Sequence, residues 1–136
     1  MFNLYKYVEK FNSNISTLDE RDKAKKAFNL DLEENKIDKK LIKYLNSFFE
    51  KDFLVPIFSC EGHKKGERGY ILFRSLYGIE ETLSILKHII LFYPQNTDLN
   101  IHYWNYDSIG YCLYFDSEDL DEILHHLLEI IEDRRD

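Results

Sequence analysis

The chain has 136 residues and 16.4 kDa, with 18 Lys+Arg against 25 Asp+Glu, a formal charge of −7 and a pI near 5.2. Hydrophobic residues make up 44% and charged residues 32%, with 5 Gly and 2 Pro, which excludes collagen-like, low-complexity and disordered classes. No apolar run approaches the ~20 residues that a membrane-spanning helix needs, and the length suits a single domain over residues 1–136 that buries a core without disulfides or structural metal.

Leu4, Tyr7, Val8 and Phe11 recur at helical spacing before Asn12-Ser13-Asn14 breaks the pattern, so a short helix is predicted over 3–12. Thr17-Leu18-Asp19-Glu20 fits a capping box, in which the threonine hydroxyl accepts from the amide three residues on and the glutamate reaches back; a polar helix over 18–28 should follow. After Asp38, the residues Leu41, Ile42, Leu45, Phe48 and Phe49 share one helical face opposite Lys39, Lys40, Lys43 and Asn46, marking a core helix. These elements make a helical N-terminal segment over 1–50.

The texture then turns to strand. Phe53 to Ser59 and Tyr70 to Arg74 are rich in β-branched and aromatic residues and predict a hairpin; Pro56 has no amide to donate and places the first strand at a sheet edge. Ile79, Leu83, Leu86, Ile89 and Ile90 predict a helix that stops by Pro94. Leu99 to Trp104 and Tyr111 to Phe115 predict a second hairpin, and Leu120, Ile123, Leu124, Leu127, Leu128 and Ile131 a final helix. Residues 53–93 thus match 99–133 as two ββα units at an offset of 41, with Leu72 on Leu113 and Ile79 on Leu120. The expected fold is α+β: N-terminal helices, then a duplicated ββα unit forming a four-stranded, mainly antiparallel sheet with helices packed on it. Two amphipathic units of equal length would also align this way without common descent.

Asp107-Ser108-Ile109-Gly110 has the residues of a type I turn followed by a glycine bulge. That register sets Tyr106 opposite Cys112, Trp104 opposite Tyr114 and His102 opposite Asp116, with Ile101, Tyr103, Leu113 and Phe115 on the other face. One face is then apolar, and the other gathers His102, Trp104, Tyr106, Cys112 and Tyr114 as an aromatic contact surface, unless the N-terminal helices cover it. Aromatic residues are 15% of the chain, but with Lys, Asn and Ile plentiful and Ala scarce an AT-rich genome would produce the same profile.

Charge is uneven. Residues 1–50 carry ten Lys+Arg against nine Asp+Glu, residues 51–100 six of each, and residues 101–136 two against ten. Acids at the start of the last helix suit its dipole, but their number exceeds what the dipole needs. An acidic end carrying Glu118, Asp119 and Glu122 argues against nucleic acid and favours a basic protein partner.

The loop from Ser59 to Gly69 concentrates reactive types. Cys60, His63 and Arg68 could act as nucleophile, base and anion holder, and Cys60 and His63 could join His102 and Cys112 as metal ligands. No complete catalytic set is identifiable, and Walker, dinucleotide-binding, HExxH and serine-elbow patterns are absent, so no cofactor is expected. His125-His126 lies beside the apolar face of the last helix and reads as structural. No signal peptide pattern is present at the N-terminus and the two cysteines read as free thiols, which points to the cytosol. The sequence therefore suggests a small acidic protein-binding module of inhibitor or immunity type; the alternatives are an enzyme or an anion- or metal-binding protein built on the Cys60 loop, and a subunit that self-associates through the open sheet face.

Overall fold

A computed structural model describes residues 16–62, 66–105 and 108–134, those of 103–105 and 108 by their backbone. Helix α1 spans Leu18–Glu33 and α2 Ile42–Lys51, the latter entered through a 3-10 turn at Lys39–Leu41; strands β1 Leu54–Cys60 and β2 Arg68–Ser75 follow, then α3 Ile79–Phe92, β3 Thr97–Asn105, β4 Ser108–Asp116 and α4 Leu120–Asp133. The helix expected over 3–12 lies outside the described residues.

Thr17 caps α1 as expected, its hydroxyl accepting from the Glu20 amide at 3.1 Å. Glu20 is used differently from a capping-box glutamate, because its carboxylate accepts from the Ser16 hydroxyl and from the buried guanidinium of Arg74. The helix runs five residues beyond the expected end at 28, and near that end Phe28 packs on Phe49 of α2 with ring centroids 5.4 Å apart. Helix α2 ends where Asp52 takes a left-handed φ of 55°, a conformation that Asp tolerates better than most residues.

The four strands form one antiparallel sheet in the order β1-β2-β4-β3. Strand β1 is at an edge, as Pro56 required, and the ladder slips between Pro56 and Phe58, leaving Ile57 as an extra residue. Partners across a ladder share a face, so Ile71 with Leu113 and Phe73 with Tyr111 lie on one side of the central strands. Helices α2, α3 and α4 bury their apolar stripes on this side, where Phe48 meets Phe73 edge-on at 4.9 Å. The side chains of Leu41, Leu45 and Phe48 are thus spent on the apolar face and do not cover the aromatic one. Helix α1 stands instead beside the β1 edge.

Hairpin, helix, hairpin, helix follow in order, and the two helices align residue for residue at an offset of 41. The strands do not share that match. Ile71 is the ladder partner of Leu113, so Leu72, which the offset lays on Leu113, points to the opposite face.

A candidate partner surface on the open sheet face

Register sorts the side chains of the second face into rows running across the strands. Cys60, Tyr70, Tyr114 and Asp98 make one row, and Phe58, Leu72, Cys112 and Asn100 the next; Arg74 of β2 and His102 of β3 lie beyond, the latter opposite Gly110. The expected second hairpin is corrected here. His102 pairs with Gly110 rather than Asp116, Tyr114 pairs with Asp98 rather than Trp104, and Cys112 pairs with Asn100 rather than Tyr106. Strand pairing continues through Ile109 and Ser108, so the four residues expected to turn contribute three to β4. The physical reason is that Ile109 and Gly110 are buried, Gly110 packing under Leu72, and this outweighs local turn preference. The shift is by an even number of residues, so His102, Cys112 and Tyr114 still share the face on which the sequence put them. Trp104 lies in β3 at the end of this ladder, and Tyr106 and His63 lie outside the described residues.

Exposure across the face is graded. Phe58 at the β1 edge is 58% exposed, Asn100 and His102 at the β3 edge are exposed, and Cys60, Tyr70 and Tyr114 are half-buried. The rings of Tyr70 and Tyr114 lie 6.0 Å apart across the central ladder. The Cys112 thiol is buried, which pushes its pKa up; a hydrogen bond with the Tyr114 hydroxyl acts in the other direction.

Phe58, Tyr70 and Asp98 were not singled out from sequence. Alternation of Tyr70 and Leu72 against Ile71 and Phe73 contained the signal for the second of these. Phe58 reaches this face only because of the slip at Ile57, which no local pattern announces.

The acidic end borders the row of Tyr70 and Tyr114, because β4 runs from Tyr114 through Asp116 into the Ser117–Asp119 turn before α4. Many of its acids have partners within the fold. Asp116 takes Arg68 at 3.3 Å, Asp119 accepts from the Asn96 amide at 2.8 Å, Asp121 accepts from the Tyr44 hydroxyl at 2.5 Å, His125 pairs with Glu129, and Glu132 takes Lys51. Tyr93 bonds His126 Nδ1 at 3.1 Å, and its phenol is raised by burial and then by the carboxylates of Glu122 and Asp119. Glu118 and Glu122 project as exposed acids.

The residues of the Cys60 loop are not assembled into one centre. Arg68 sits between Asp116 and Asp98, 3.9 Å from the latter, and donates to the Gln95 carbonyl, so its charge is already countered. Cys60 and His102 lie on the two opposite edge strands, and Cys112 is two strands from Cys60, roughly 10 Å away at ordinary strand spacing. The Glu61 amide donates to Asp38 Oδ2 at 2.8 Å, tying the start of the loop to the turn before α2. Among the described residues, no three His, Cys, Asp or Glu side chains are grouped to hold a metal ion, and no helix is long and apolar enough to cross a membrane. Comparison of the chain with family models, with curated proteins and with solved structures finds no match.

Proposed function

We propose that this chain is a protein-binding module of inhibitor or immunity type that engages a basic protein through the exposed part of its sheet face and the adjoining acids. The observation that carries the reading is the row of Tyr70, Tyr114 and Asp98 across the sheet, with Phe58 in the adjoining row and Asp116 next along β4 before the turn that carries the exposed Glu118. Aromatic rings supply contact area at small entropic cost, and exposed carboxylates beside them attract and orient a cationic partner before contact. His102 and Trp104 belong to the same strand edge, and Asp119, held by Asn96, gives the acidic cluster a fixed point. Neither Cys60 nor Cys112 is in a disulfide, and the two stand too far apart across the sheet to bridge, which suits work in the reducing cytosol.

The test is to isolate proteins retained by the immobilised chain and measure the affinity of a basic one for the parent, for Tyr114→Ala and for the double variant Glu118→Lys with Glu122→Lys. The double variant is expected to weaken binding about tenfold or more, chiefly through association rate, and added salt should reduce the parent's advantage. Tyr114→Ala should raise the dissociation rate. Affinity indifferent to both changes would overturn the reading, as would a solution mass showing a stable dimer that hides Tyr70 and Tyr114.

A further inference from the structure

The two edges of the sheet are finished differently. Edge β1 has Pro56 with no amide to donate, a bulge at Ile57 and helix α1 standing beside it, three features that discourage a further strand from pairing. Edge β3 has no such protection. It contains no Pro, Gly or Lys, its ladder runs without a slip from Thr97 to Tyr103, and among the described residues only β4 pairs with it.

The ladder assigns the backbone groups on the outer side of β3. The Asp116 amide donates to the Asn96 carbonyl at 2.9 Å, so the alternate pairs that follow, Asp98 with Tyr114 and Asn100 with Cys112, are the ones that exchange hydrogen bonds. Leu99 and Ile101 then turn their amides and carbonyls away from β4. The Leu99 amide agrees with this, since it meets the Asp98 carboxylate at 2.9 Å instead of a strand. Ile101 presents both groups outward, and its side chain is 46% exposed.

On the helix side of this edge, Leu83, Lys87 and Leu91 of α3 and Leu99 of β3 line a groove of about 610 Å³, with Leu91 69% exposed. From Glu80 to Leu91 the groove follows α3 for about 16 Å, and β3 covers the same length from Leu99 to Trp104. The middle of the helical stretch, between Ser84 and Lys87, therefore stands near the height of Ile101, and one two-fold axis can serve both layers.

We propose that a second copy of this chain pairs here, its β3 antiparallel to the first across a two-fold axis at Ile101, so that two four-stranded sheets become one continuous sheet. Ile101 of each copy donates its amide to the Ile101 carbonyl of the other, and Leu91, Leu99 and Ile101 are buried between the copies. The two α3 helices run antiparallel over the seam. That brings the exposed Lys87 of each copy within about one turn of the other's Glu80, a charge match made twice by symmetry. Tyr70 and Tyr114 lie on the central strands and stay open, so this pairing holds or fails apart from the basic-partner reading.

The test is the solution mass of the full chain, followed by sedimentation over a range of concentrations. The parent is expected to approach twice 16.4 kDa at about 100 μM. Ile101→Pro, which removes an amide that the ladder does not use, should weaken the dimer about tenfold or more while keeping a cooperative melt, as should Leu91→Lys. A parent that stays monomeric, including one that keeps this edge for a strand of a different protein, would overturn the proposal, as would a dimer indifferent to both changes. Should these variants not fold, cross-linking decides the matter. In the Cys60→Ser chain oxidised with diamide, Ile101→Cys is expected to form an intermolecular disulfide about tenfold or more faster than Leu30→Cys, an exposed position on α1. Equal rates would overturn it.

Discussion

The guanidinium of Arg74 is among the most deeply buried polar groups of the sheet, and its position is defensible only because its protons are used. Nη1 donates to the Ile109 carbonyl at 2.5 Å, while Nε and Nη2 both face Glu20 Oε2 at 3.3 Å. Desolvating an arginine costs several kcal/mol, so the ion pair with Glu20 in the first turn of α1 fixes geometry more than it adds stability. Tyr111, on the opposite face of the neighbouring strand, is a simpler case. Burial pushes its phenol from 10 up to about 12, against smaller opposing effects from a Thr82 hydrogen bond and from Arg74. The neutral form is the one the fold favours, so its contribution is fully present below pH 10 and is lost as pH rises through 12. Urea unfolding followed from pH 8 to 12 should show stability falling above pH 10, by about 2–3 kcal/mol for this group. Tyr44, whose phenol burial and the Asp121 carboxylate also raise, falls off in the same direction. Tyr111→Phe is expected to make the alkaline loss shallower, and an unchanged profile in that variant would remove Tyr111 from the account.

Elements meet closely at two glycines of the central strands, and they differ in kind. A Cβ on Gly69 would lie 2.5 Å from a ring carbon of Phe115 and 2.7 Å from the Cys60 carbonyl oxygen, a clash with core and backbone together. A Cβ on Gly110 would meet the movable end of Leu72 at 3.2 Å. Gly69→Ala is therefore expected to cost about 2–3 kcal/mol in chemical denaturation and Gly110→Ala about 1 or less; the reverse order would mean that the packing at Phe115 yields more readily than its burial implies. Helices and strands of this chain were readable because apolar period follows burial locally: Leu41, Leu45 and Phe48 mark α2, and Leu120, Ile123, Leu124 and Leu127 mark α4. The faces of β4 were readable for the same reason. Pairing in the second hairpin was not, since Asp107 to Gly110 satisfies a turn motif locally while the partnership of Phe73 with Tyr111 and the burial of Gly110 under Leu72 depend on a strand distant in the chain. The candidate surface inherits that division. Tyr114 and His102 were found by alternation, whereas Phe58 was brought in by a bulge and Arg68 was taken out of service by acids on β3 and β4.

At the scale of the whole molecule, the C-terminal end of α4 ties the layers together. The Arg134 guanidinium lies 4.3 Å from the Phe53 ring and 4.5 Å from the Tyr77 ring, and it pairs with Glu81 at the start of α3. One side chain thus joins the last helix to the entry of β1, the exit of β2 and the third helix. The strand order has a kinetic consequence. Strands β1 with β2, and β3 with β4, are neighbours in sequence and can zip as hairpins, but the seam between β2 and β4 joins Ile71 to Leu113, about 40 residues apart. Loop-closure entropy must be met there before the apolar face is complete, so pairing of β2 with β4 is the step expected to limit the folding rate. Stopped-flow measurements should find that Leu113→Ala slows refolding, while Ile101→Ala at the outer edge chiefly speeds unfolding; the opposite assignment would place the barrier in the hairpins. Until that seam closes, each half presents an unpaired inner strand, and the chain is most open to joining a second copy of itself during those moments.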